Sequence, residues 1–230
     1  MWCWNACLQR ALSKYGIEKS QKEIIRGIAK KYWVSPFESK RRTGNAYNIT
    51  KEEFESKVPS FIKFFFSVVF NDDINSYIKN ITNGRYIYQT VTIPRELYCS
   101  NVKISTAEKS KKLYSIISAL RNKIAEKQNM EVKNVILITA CPLLTSAHAV
   151  TIEDTVGNFY VIGEPAGGVT VTLPYDKFFS YPSDKQVPFI LSRAANKVGF
   201  NINFIIECNN RIIDSEWQNI LNIFRVDNSN

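Results

Sequence analysis

Ala147-His148-Ala149-Val150-Thr151-Ile152-Glu153, then Asp154-Thr155-Val156-Gly157-Asn158, then Phe159-Tyr160-Val161-Ile162-Gly163-Glu164-Pro165: the reading of these three consecutive stretches decides the fold. The outer two are rich in β-branched and aromatic residues, and the middle one carries Asp, Gly and Asn. Together they predict a β-hairpin with 154–158 as its loop. With that loop Glu153 faces Phe159 and His148 lies opposite Glu164, and a slip of one residue still leaves Glu164 adjacent. Directly opposed side chains share one face with Cβ atoms about 5 Å apart, so a carboxylate there can accept a hydrogen bond from imidazole. Asp154 is roughly 20 Å further along the strand and reads as a turn residue.

More strands surround the hairpin. Residues 135–139 form an apolar run, 169–173 follow the Gly167-Gly168 pair, and 85–93 are β-branched and aromatic until Pro94 stops them. Residues 189–192 and 203–207 are further strand candidates, with a short helix or turn at 175–179. Helices dominate the first part. Trp4, Cys7, Leu8, Ala11, Leu12 and Tyr15 fall at helical spacing, and Asn5, Gln9, Arg10, Ser13 and Lys14 take the opposite, polar face. Gly16 stands where a left-handed residue ends such a helix, and Ser20-Gln-Lys-Glu23 is a capping box opening a second helix through Tyr32, with Ile24, Ile25 and Ile28 inward. Residues 36–44 read as a loop, 51–57 and 60–70 as short helices, 107–129 as a long helix and 215–224 as a last amphipathic one. Helices first and an antiparallel sheet later indicate an α+β fold, and residues 1–230 suit a single domain.

The net charge of +9 is uneven: residues 1–42 carry ten Lys/Arg against three Glu, and residues 103–133 carry eight against three. Such patches could meet nucleic acid, anionic lipid or an acidic protein, but the expected reading is a solvated face on two helices, with an acidic partner as the alternative and nucleic acid not expected. The five cysteines include no Cys-x-x-Cys pair, and there is one histidine, so neither a disulfide framework nor a four-ligand zinc cage is expected. No signal peptide and no membrane span are expected either. The most apolar run, 61–70, is too short and contains Lys63, so the chain reads as soluble.

The chemistry-bearing residues are Cys3 and His148. Cys3 sits at the start of a helix, where unpaired backbone N–H groups and the positive end of the macrodipole favour thiolate over thiol. The same N–H groups can stabilise an oxyanion on an attacked carbonyl. Cys7, one turn on, lies on the apolar face and reads as a small buried residue. His148 is the chain's only imidazole, and with Glu164 to orient it, it can serve as proton acceptor for a thiol.

Trp2-Cys3-Trp4-Asn5-Ala6-Cys7, with Tyr15-Gly16-Ile17 and Ser20-Gln21 behind it, resembles the active-site segment of papain-like cysteine peptidases. The closest branch is the bacterial one that includes effector peptidases delivered into host cells and bacteriocin-leader peptidases. A later segment is similar too: an apolar strand, then Ala147-His148-Ala149-Val150, then Glu164-Pro165-Ala166-Gly167-Gly168. The likeness covers about residues 1–34 and 134–182, and residues 35–133 stand as an insertion without a counterpart. It implies a papain-like fold, with an N-terminal helical side packed on a twisted antiparallel sheet. It also implies amide hydrolysis through a thioester, with Cys3 as nucleophile, His148 as acid and base and Glu164 as the orienting acid, on a protein or peptide substrate. No metal or organic cofactor is implied.

Two departures stand out. The family's acid is usually Asp or Asn, one methylene shorter than Glu164. Its oxyanion-hole glutamine lies about six residues before the nucleophile, and Met1 is only two residues before Cys3. Either a segment upstream of Met1 carries that glutamine, or the scaffold is catalytically impaired and serves as a binding module. A third alternative is transglutaminase- or deamidase-like acyl transfer on the same fold.

Overall fold

The computed structural model describes residues 3–24, 27–28, 60–99, 104–130, 136–140, 149–165, 168–179 and 199–225. The elements in chain order are α1 (Cys3–Ser13), α2 (Ser60–Ile81), β1 (Tyr86–Ile93), α3 (Thr106–Gln128), β2 (Ile136–Ala140), β3 (Ala149–Val156), β4 (Phe159–Glu164), β5 (Val169–Pro174), β6 (Phe200–Glu207) and α4 (Asp214–Phe224). Single 3₁₀ turns stand at Arg95–Leu97, Tyr175–Lys177 and Cys208–Asn210. The expected helices at 51–57 and through Tyr32, the loop at 36–44 and the strand at 189–192 fall wholly or partly outside the described residues. Among the described residues, no helix is long and apolar enough to cross a membrane.

The six strands form one sheet in the order β1-β6-β2-β3-β4-β5, and every neighbouring pair is antiparallel. The fold is therefore mixed α+β with an antiparallel sheet. Strand periodicity assigns its two faces. Ile87, Val91, Val150, Ile152, Tyr160, Ile162, Ile202 and Phe204 turn to one side, onto Leu113, Ile116, Leu120 and Ile124 of α3 and Trp217, Ile220 and Leu221 of α4. Tyr86, Tyr88, Ala149 and Ile205 turn to the other, onto Cys7, Leu8, Ala11 and Leu12 of α1, Ile24 and Ile28, and Ile74, Tyr77 and Ile78 of α2. The sheet thus lies between two helical layers. Strand β6, between β1 and β2, is buried at six of its eight positions, as a strand covered on both faces must be. Of residues 35–133, the described part supplies helix α2, the edge strand β1 and the core helix α3.

Local sequence explains most of the ends. α1 closes with Ile17 N–H bonded to Leu12 O at 3.1 Å and Gly16 N–H to Ser13 O at 3.0 Å, with Gly16 at φ 70, the Schellman arrangement. The Ser20 box is present, with Ser20 N–H on the Glu23 carboxylate at 2.8 Å and Glu23 N–H on Ser20 Oγ at 3.2 Å. α3 opens on a second box, Ser105 with Glu108, and ends at Asn129 in the left-handed region.

Three expectations are corrected. The helix read as 60–70 runs on to Ile81, because Ile74, Tyr77 and Ile78 form a buried stripe beyond the polar Asn71-Asp72-Asp73. Asn5, placed on the polar face, is fully buried, since its amide finds the carbonyl of Gln21. The hairpin loop 154–158 shrinks to Gly157-Asn158, a two-residue turn whose first position is a glycine at φ 56. Asp154 is consequently a strand residue paired with Arg121 of α3 at 3.3 Å, and not a turn residue.

Candidate active site

α1 begins at Cys3, so its first-turn N–H groups lie beside a thiol that is half-buried against the α1–α2 core. Two side-chain bonds fix the orientation of this helix. Asn5 Nδ2 donates to Gln21 O at 2.8 Å and Gln9 Nε2 to Lys19 O at 2.9 Å, tying α1 to the segment before the Ser20 box. Cys7 is buried, and burial pushes its thiol well above the ordinary range; the nearby Cys3 and Glu164 push it further, while Arg10 pulls it down. A protonated, inaccessible thiol is a poor nucleophile, which matches the inert role read for Cys7.

The strands bring the acid to the same place. A β-bulge between Ile152 and Asp154 makes Glu153 an extra residue on β3, and the ladder beyond it pairs Ile152 with Ile162 and Thr151 with Gly163. Glu153 therefore does not face Phe159, whose partner is Val156. The described ladder ends at Thr151 with Gly163, so the expected opposition of His148 and Glu164 falls outside the described residues. The register up to that point differs from the expected one because the turn is shorter and one residue is bulged. Glu164 ends β4 opposite Val169 of β5 and is 2 % exposed. Alternation from Ile162 assigns it to the α3 face, yet its charge reaches the Cys7 thiol on α1, at the end of the sheet where β3 begins.

Of the expected site residues, the structure thus brings Cys3 and Glu164 into one region, around Cys7. His148 lies outside the described residues. Its neighbour Ala149 is buried in the same cluster as Cys7 and Leu8. Residues missed in the sequence are Asn5, Arg10 and Glu153. Arg10 ion-pairs with Glu153, and its Nη2 donates to Thr170 Oγ1 at 2.8 Å. No local signal announces such contacts between residues so far apart in the chain. Among the described residues, no group of His, Cys, Asp and Glu is placed to hold a metal ion. Comparison of the chain with protein families, with curated proteins and with solved structures finds no match.

Proposed function

We propose that the chain is a cysteine peptidase of papain-like arrangement, hydrolysing peptide bonds through a thioester. Cys3 Sγ attacks the carbonyl carbon, and N–H groups at the start of α1 receive the oxyanion. His148 takes the Cys3 proton and gives it to the departing amine, then activates the water that cleaves the thioester, and Glu164 orients the imidazole. The supporting observation is that Cys3 and Glu164, far apart in the chain, both lie near the buried Cys7 thiol. The peptide link adds a constraint, since the Cα of His148 lies about 3.8 Å from that of Ala149, which packs against α1.

The test is cleavage of an unfolded protein substrate. Cys3→Ala and His148→Ala should each abolish thiol-dependent cleavage, and Glu164→Gln should lower kcat by about 10²-fold or more without removing it. Full activity in His148→Ala would contradict the assignment, because the chain has no second histidine. Cys3-dependent ammonia release or crosslinking without cleavage would reassign the chain to acyl transfer.

A further inference from the structure

Arg10 lies about two turns along α1 from Cys3 and touches three strands at once. Its Nε pairs with Glu153 of β3, and its Nη2 donates to Thr170 Oγ1 of β5 at 2.8 Å. Between them its guanidinium covers β4 at Gly163, where a Cβ would stand 2.9 Å from Arg10 Cζ and 2.8 Å from Glu153 Oε1, and would collide with Thr151 Oγ1. Only glycine leaves room for this approach. Glu153 is the residue displaced by the bulge, so the irregularity of β3 is what aims its carboxylate at α1. Thr151 Oγ1 completes the arrangement, 3.4 Å from Glu153 Oε1 and 3.3 Å from Gly163 O.

We infer that Arg10 is a positioning residue that seats the Cys3 helix on the strand ends next to Glu164. This rests on the peptidase proposal. A partly exposed ion pair adds little to stability, so the effect is geometric. A helix is stiff over this length, and a shift at Arg10 reaches its first turn. Displacing a reacting group by about 1 Å can cost about 10²-fold in rate. Gly163 directly precedes Glu164, so the same contact also fixes the end of β4. Lysine cannot replace Arg10, since a single ammonium lacks the planar fork that engages Glu153 and Thr170 together.

The experiment uses the full chain with Arg10→Lys, Gly163→Ala and Thr170→Val, and reads kcat, KM and the pH midpoint of Cys3 alkylation by iodoacetamide. Circular dichroism checks the fold. Arg10→Lys and Gly163→Ala are expected to lower kcat by about 10–10²-fold with little change in KM, and to raise the alkylation midpoint. Thr170→Val, which removes one bond, should have a smaller effect of the same sign. Folded variants with wild-type kcat and an unmoved midpoint would overturn the inference, as would a failure of all three variants to fold. Failure of the peptidase proposal shows elsewhere, in wild-type turnover that survives Cys3→Ala. In that case the midpoint alone decides: a rise keeps Arg10 as the seat of Cys3, and no rise overturns it.

Discussion

Cys3 and Cys7 are one helical turn apart and have opposite environments. Cys3 stands half-buried at the helix N-terminus, and Cys7 is sealed in the core with its thiol pushed up by burial. At pH 6 iodoacetamide should therefore label Cys3 ahead of Cys7 and of the exposed Cys208, as read by peptide mass spectrometry. Labelling of Cys7 first would move the nucleophile to that position. This division was legible in the sequence, because a 3.6-residue period puts Cys7 with Leu8 and Leu12. The burial of Asn5 was not. A polar side chain is buried when a tertiary partner satisfies it, and the carbonyl of Gln21 that does so comes from the next segment of chain. The same holds for Arg121, 2 % exposed, whose Asp154 partner arrives from β3.

At the scale of elements, what depends on nearby residues was readable and what depends on distant ones was not. Gly16 marks the end of α1 because only a left-handed residue completes the Schellman bonds, and open space surrounds the position where a side chain would begin. Gly16→Ala should then destabilise the protein by about 1–2 kcal/mol through backbone strain alone, measurable by denaturant titration. An unchanged midpoint would show that the helix end is not so constrained. The hairpin was recognisable from alternation and from Gly157-Asn158. Its register was not, since the bulge at Glu153 answers to Arg10 on another element.

Over the whole molecule, helices followed by strands indicated the α+β class, but nothing in the sequence tells that β6, the last strand, inserts between β1 and β2. The two covered faces of the sheet bury phenols. Burial pushes Tyr15 up to about 12 and Tyr77 up to about 12, and raises Tyr88, Tyr98 and Tyr160 as well. Each is an acid whose folded pKa exceeds its unfolded one. The stability these groups contribute is present below the ordinary tyrosine pKa of about 10 and is lost as pH rises through the folded values. Melting temperature should accordingly drop between pH 9 and pH 12, and a flat profile would contradict the burial of these rings. The central claim, a Cys3 thiolate formed against His148, needs no substrate to be tested. The rate of Cys3 alkylation is measured from pH 4 to pH 9 in the wild type and in His148→Ala. An imidazolium near the thiol should hold the wild-type midpoint well below the free-thiol value of about 8.5, with His148→Ala shifted upward toward it. Superimposed profiles in two folded proteins would contradict the pairing and, with it, the peptidase mechanism.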